Sequence, residues 1–445
     1  LVSQATVGYD EVLVGSLQTM PKWLEDMGNP GSSFLGLLVS VVFVGGFVGA
    51  FVAAPVSDRY GRRAGIAVGS VLCIIGTVLQ SAAQERGMFL AGRVIIGIGI
   101  SFTTCAGPTL VNELSHPALR GTISSMFNVL WYVGSIFAAW ISFGTSHMET
   151  SSWCWRIPSI VQAVPAIFVA CVIFMIPESP RYLYSRGLIS EAEDVLTTYH
   201  ANSDPTNPII ALELQEISTA LSAESEFSKA SFLSTLRSRE NRRCYAICVS
   251  VALLTLWCGQ GVISYYFSPI LTSIGITSPG QQTGINGGMQ IWNLLCSITG
   301  ALLADRIGRR ALWLSSFSGM ILFNVPLTIT SAVYAHRGTK SAASATVALL
   351  FLYNAAFNLA CNPLLYTYTP EILPYSIRAR GLSLQIAVSE AALTVNQYVN
   401  PIALHRIGYY YYIFYLGVLF VGLAIIYLFF PETNGKTLEE LSGLF

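Results

Sequence analysis

The chain has 445 residues, 53% apolar and only 11% charged, under half the roughly 25% charge of an ordinary soluble domain, which excludes a typical cytosolic enzyme. Its 24 Lys plus Arg balance 24 Asp plus Glu, so no net basic field draws nucleic acid. Eight cysteines (Cys73, Cys105, Cys171, Cys244, Cys248, Cys258, Cys296, Cys361) lie in or beside apolar runs and only Cys154 falls in a loop, the pattern of small core residues rather than of a disulfide framework.

About 20 mostly apolar residues span about 30 Å of hydrocarbon. Twelve runs bounded by charge or by Pro and Gly turns fit that length, near 1–19, 34–56, 64–83, 88–112, 121–144, 156–176, 244–272, 283–304, 311–333, 345–369, 381–404 and 409–430. The sequence predicts an all-α membrane protein embedded in the lipid bilayer. With no initiating Met and no basic flank before an apolar core, no signal peptide is read, and a preceding tail is expected to be missing. Between the sixth and seventh runs, 178–243 holds 17 of the 48 charged residues, with amphipathic patterns over 191–199 and 209–221. Sorting Lys and Arg by loop puts 17 on the side of this segment and six on the other, with Arg93 inside a span, so that side is expected to be cytoplasmic and to hold both termini. The aromatic run 409–412 suits either an interfacial belt or simple packing.

The two halves repeat. Asp58-Arg59-Tyr60-Gly61-Arg62-Arg63 after the second span returns 247 residues later as Asp305-Arg306-Ile307-Gly308-Arg309-Arg310 after the eighth. Pro108 through Glu113 to Arg120-Gly121 is matched by Pro363 through Glu371 to Arg380-Gly381, and Pro177-Glu178-Ser179-Pro180 by Pro431-Glu432-Thr433. These pairs predict two pseudo-symmetric six-helix bundles over 1–177 and 244–431, joined by the linker 178–243 and followed by a tail from 432 to 445. In each basic loop Gly permits a tight turn, while the Asp is placed to cap the next helix and bond Arg. Asp58, Arg62, Arg63, Glu113, Arg120 and Glu178, with Asp305, Arg309, Arg310, Glu371, Arg380 and Glu432, form a candidate cytoplasmic latch between the bundles; the alternative is a set of positive-inside anchors with solvated partners.

Together with Gly92-Arg93-Val94-Ile95-Ile96-Gly97-Ile98-Gly99, Pro177-Glu178-Ser179-Pro180-Arg181 and Pro431-Glu432-Thr433-Asn434-Gly435-Lys436, these loops resemble the sugar porters of the major facilitator superfamily over essentially the whole chain. Leu130-Trp131-Tyr132-Val133-Gly134-Ser135 and Asn396-Gln397-Tyr398-Val399-Asn400-Pro401 are similar to fungal hexose, lactose and cellodextrin permeases. The resemblance implies alternating access and proton-coupled sugar uptake.

A sugar's hydroxyls must be matched when it leaves water, which calls for neutral amides and an aromatic platform. Stripes at helical spacing supply them: Asn354, Asn358, Asn362 and Tyr366; Asn286, Gln290, Asn293 and Ser297; Gln385, Ser389, Asn396 and Asn400; and Gln260, Ser264 and Tyr265. Interhelical hydrogen bonding without substrate is the alternative reading for any one of these amides, whereas several converging stripes point to a polar cavity. By the resemblance, Asn293 falls on a substrate-binding Asn of the family, Tyr366 on a position where many members stack a Trp against sugar, and Asn128 on the family's span-five Gln. Thr255-Leu256 stands where many hexose porters carry a Gln pair, and Glu11 replaces a small residue. Asp10 and Arg93 match the resemblance's proton-coupling Asp and Arg, a pair in which burial and the cation pull the carboxyl in opposite directions. Glu390 is a second proton site, or an acid kept neutral or bonded to Thr394 and Gln397.

The reading is a monomeric, proton-coupled sugar importer of the plasma membrane with no cofactor or metal, the proton being its coupling ion. An uncoupled sugar facilitator and a non-transporting sugar sensor are the alternatives. No phosphate loop, metal cluster or hydrolase triad points to an enzyme.

Overall fold

The computed structural model describes residues 2–116, 120–148, 150–228, 238–365, 367–373 and 377–433. Tyr366, the tail 434–445 and the side chains of Arg120 and Asp305 lie outside that description. Nearly every described residue is helical, and no strand occurs among them.

Among the described residues, twelve helical spans arise in two sets of six. The first set is Val2–Leu17, Ser32–Tyr60, Arg62–Ser81, Arg86–Leu114, Arg120–Thr145 and Trp153–Met175. In the second, span seven is broken into Arg239–Leu256, Gln260–Tyr265 and Phe267–Ser273. Pro279–Ile307, Arg309–Arg337, Lys340–Leu364, Arg378–Ile407 and Tyr410–Phe429 follow. Ten are long and apolar enough to cross a bilayer on those grounds alone. Spans one and eleven are the other two, and they carry Asp10, Glu11 and Glu390 together with polar stripes. Their polarity is sheltered inside the bundle: Asp10, Gln385, Asn396, Gln397 and Asn400 are all buried. Large apolar side chains such as Phe51, Phe168, Leu302, Leu322 and Leu428 are exposed on the outer faces, a surface that suits lipid.

Close helix approach is built from small residues, as expected where lipid gives no hydrophobic drive between helices. Spans three and four share a reciprocal seam: a Cβ at Gly76 would lie 2.8 Å from the Gly92 carbonyl oxygen, one at Gly92 2.8 Å from that of Gly76, and Gly69 and Gly99 face each other at 2.7 Å. Span one meets span five at Gly8 and Gly134, where a Cβ would run into the Trp131 and Ala5 carbonyl oxygens. Span seven breaks at Gly259, whose φ of +99° is left-handed, and its Cβ position lies 3.1 Å from the Tyr415 ring. In the run 409–412, Tyr411 and Tyr412 are buried and Tyr410 is exposed, so packing and surface roles are both present.

Between the sets, the linker forms Pro180–Ser185, Ile189–His200 and Pro208–Ser228. The last two are the amphipathic helices expected from the pattern, each somewhat longer than the pattern alone indicated. Leu196, Ala201 and Ile210 make their small core.

Candidate functional site

Arg93 lies about two turns into span four, where its guanidinium reaches span one. Its Nη1 donates to Asp10 Oδ1 at 2.9 Å, and Gln162 Nε2, at the joint within span six, donates to the same oxygen at 2.6 Å. Asp10 is 0% and Arg93 2% exposed. Asp10 Oδ2 and Arg93 Nε are buried with no hydrogen-bond partner. The carboxylate is therefore held through one oxygen by a cation and an amide, while its second oxygen is uncommitted, an arrangement in which a proton can be added without first breaking the ion pair.

Glu11, the next residue, faces the Tyr265 hydroxyl and the Trp131 indole. Tyr265 in turn packs edge-on against Phe43 of span two at 5.8 Å. Glu390 differs from the expectation of a bonded acid: Thr394 Oγ1 donates at 2.8 Å to the Glu390 backbone carbonyl, as helix geometry favours, and the Glu390 carboxylate lies against Gly46 instead.

The amide stripes converge, but they divide by what they have left to offer. Asn396 donates to Tyr415 Oη at 3.3 Å and accepts from Asn400 Nδ2 at 2.8 Å, and Tyr411 and Tyr415 both donate to Asn400 Oδ1 at 2.8 Å. This network ties spans eleven and twelve. Asn362 Nδ2 donates to Ser297 Oγ at 2.9 Å, joining spans ten and eight, and Tyr132 of span five donates to Asn358 Oδ1 across the two halves. Asn128 lies half-buried one turn before Tyr132. Gln260 Nε2 donates to Asn354 Oδ1 at 2.7 Å and to Ser264 Oγ at 3.0 Å, leaving Oε1 buried and unpartnered. Asn293 is 3% exposed with Oδ1 unpartnered, and Gln290 keeps a free Oε1 while its Nε2 donates to Asn286 at 3.0 Å. Asn286 Nδ2 reaches Ser16 Oγ of span one at 3.3 Å. Gln260, Gln290 and Asn293 thus each keep a buried side-chain oxygen without a hydrogen-bond partner. Gln290 stood in a stripe without being singled out; spacing alone cannot tell which amides are already spoken for.

At the ends of the spans, the two basic loops build the same network twice. Glu178 Oε1 and Oε2 accept from the backbone N–H groups of Arg62 and Arg63 at 3.1 and 3.2 Å, and Glu432 does the same for Arg309 and Arg310 at 2.8 and 3.1 Å. Each carboxylate caps the positive end of a helix from the far end of the same half. The turns are made by Gly61 at φ +101° and Gly308 at φ +96°. Here the structure corrects the sequence expectation: Asp58 bonds Arg62 Nη1 at 3.1 Å as expected, yet the capping carboxylate is Glu178. Arg62 Nε also donates to Glu113 at 3.3 Å, and Arg309 Nη2 to Glu371 at 3.2 Å. Arg63 and Arg310 close the motif by donating to the Phe174 and Tyr427 carbonyls, each at 2.5 Å. Each of these pairs lies within one half.

Comparison with known proteins matches this arrangement. The family model described as "Sugar (and other) transporter" matches residues 1–445. The chain is 29% identical to a high-affinity glucose transporter of Kluyveromyces lactis, covering 100% of this chain and 83% of that one. It is 30% identical to the probable metabolite transport protein CsbC of Bacillus subtilis, over 92% of this chain and 85% of the other. Among solved structures, the partially occluded inward-open xylose transporter XylE from E. coli superposes with a TM-score of 0.81 at 21% identity, covering 98% of this chain and 97% of that one. The structure described as the MFS proton:xylose symporter XylE bound to 6-bromo-6-deoxy-D-glucose gives 0.81 at 22%, covering 100% and 97%. Twelve spans in two matched sets, a repeated basic-loop network and a family match over the full length lead to one assignment: this chain is an integral membrane protein of the major facilitator superfamily and belongs to its family of sugar (and other) transporters, a carrier and not an enzyme.

Proposed function

We propose that the carrier is a proton-coupled sugar importer of the plasma membrane that works by alternating access as a monomer, with both termini and the linker in the cytosol. The observation that carries the coupling is the buried Asp10–Arg93 pair, whose Asp10 Oδ2 has no partner. The sugar reading is supported by the open acceptors of Gln260, Gln290 and Asn293, by the family's description and by the glucose transporter among its relatives. Asn128, Tyr265, Asn362, Tyr366 and Asn396 complete the proposed site, Asn362 and Asn396 as positioning groups already bonded to neighbouring helices. The two basic-loop networks, with Arg120, Asp305 and Arg380, are the arms of the proposed cytoplasmic latch. No cofactor is involved beyond the proton itself.

Uptake of a panel of labelled sugars into cells lacking their own carriers, with and without a protonophore, tests this. Accumulation that collapses with protonophore is expected. Accumulation to equilibrium only, unmoved by protonophore, replaces the proposal with a facilitator, and binding without flux replaces it with a sensor. In the same assay Asn293→Ala and Gln260→Ala should each weaken apparent affinity about 5- to 30-fold, the equivalent of about 1–2 kcal/mol for a lost hydrogen bond, with surface expression retained. Unchanged affinity in both places the sugar elsewhere.

A further inference from the structure

The second linker helix ends on His200, which is 8% exposed and sits between two elements remote in sequence. Its Nδ1 is 2.9 Å from both oxygens of Glu213, itself 6% exposed, on the third linker helix. Its Nε2 is 3.1 Å from the Leu114 carbonyl oxygen, the last residue of span four. A carbonyl can only accept, so Nε2 must carry hydrogen. A second proton must then lie between Nδ1 and Glu213, on the ring or on the carboxyl. Without it, an Nδ1 lone pair faces a carboxylate, or the ring changes tautomer and leaves Leu114 without its donor. The Leu114 carbonyl also belongs to the negative end of span four, where positive charge is favoured.

We propose that His200 and Glu213 form a proton-dependent clasp that fastens the linker to the end of span four. The clasp is closed when the pair holds its second proton and opens when that proton is lost as the linker side turns alkaline. The charged and titratable groups carried by the surrounding elements are few. On span four's end, His116 packs edge-on to the His200 ring at 5.6 Å, and Glu113 is engaged with Arg62. The first linker helix carries Arg181 and, at its end, Arg186, whose guanidinium donates to the Arg59 carbonyl; Tyr182 Oη donates to that carbonyl at 3.2 Å. The third helix contributes Glu213 and Glu216 among its described side chains, and the His200 helix itself Glu191, Glu193, Asp194 and Tyr199. The first helix therefore holds the linker to the last turn of span two by bonds that do not depend on His200. The clasp adds span four, the helix that carries Arg93, so protons on the linker side set how firmly that helix is strapped.

Hydrogen exchange of the full-length carrier in nanodiscs, with rates corrected for the intrinsic effect of pH, reads the clasp directly. Protection of 189–200 and 208–217 should fall about tenfold or more between pH 6 and pH 8, while the spans stay protected and serve as the control for folding. His200→Gln and Glu213→Gln should each show low, pH-independent protection in these helices, and His116→Gln should retain the transition. Protection that does not change with pH in the unaltered protein, or a His200→Gln variant that follows the same pH curve, would overturn the proposal. Neither outcome bears on sugar transport, so the clasp and the transport reading stand or fall separately.

Discussion

Asp10→Asn should abolish uphill sugar accumulation, reducing the ratio of internal to external sugar to one, while sugar binding and downhill exchange persist. Asn keeps the size of Asp and an oxygen that can accept from Arg93 and Gln162, but it cannot take up and release a proton. Arg93→Leu is expected to fail differently. It leaves a buried carboxylate beside Gln162 alone, and removing one partner of a buried ion pair costs on the order of 3–5 kcal/mol, so yield and thermal stability should drop as well. The measurement is concentrative uptake as a function of external pH, with equilibrium exchange as the control. An Asp10→Asn carrier that still concentrates sugar with normal pH dependence removes this pair from the coupling mechanism and makes Glu11 or Glu390 the next candidate.

The second large effect lies in packing. Gly8→Ala and Gly134→Ala should each severely destabilise the first half, because the added methyl would overlap a backbone carbonyl on the facing helix, Trp131 or Ala5. A backbone atom cannot swing aside as a side-chain tip can, so spans one and five must separate. Overpacking of this kind costs typically 1–3 kcal/mol, and more where the obstacle is rigid. Separation would also move Asp10, two residues from Gly8, relative to Arg93. Thermal unfolding of the purified carrier should show midpoints well below that of the parent for both variants, and near-parental midpoints for Gly31→Ala and Gly288→Ala, which have open space around the added carbon. Equal stability across all four would mean that the seam is looser than its geometry.

Much of the architecture was legible because the membrane imposes it. Run length and charge bounded all twelve spans, the polar spans one and eleven included, and the repeat of Asp-Arg-x-Gly-Arg-Arg supplied the expectation of two matched halves. Asp10 and Arg93, 83 residues apart, were joined by the resemblance; nothing in their local sequence forces them to meet. What stayed hidden was long-range hydrogen bonding. The sequence offers Asp58 as the cap for span three, and only the chain's return after span six puts the Glu178 carboxylate on the Arg62 and Arg63 amides instead. In the same way Asn293 and Asn396 look alike as members of a stripe. Packing against Tyr415 and Asn400 occupies Asn396, whereas Asn293 retains an acceptor. The clasp at His200 was invisible for the same reason, since its partners lie 13 and 86 residues away.

The doubled network at the basic loops bears on how little work a transport cycle need require. Charge-assisted bonds such as Glu178 to Arg62 and Glu432 to Arg309 fasten helices inside one half, so the alternating access proposed above need not break them. Bonds that cross between halves include Asn286 to Ser16 at 3.3 Å and Gln18 to the Tyr265 carbonyl at 3.2 Å, both between neutral groups. Each such bond contributes about 1 kcal/mol net, and water can replace it when the halves part. The two end states then differ by small sums of weak terms, and a cargo that favours one of them by only a few kcal/mol is enough to tip the balance. In the proposed cycle, strength held within the halves and weak neutral contacts between them let so modest a ligand as a neutral solute shift the balance of a 445-residue chain.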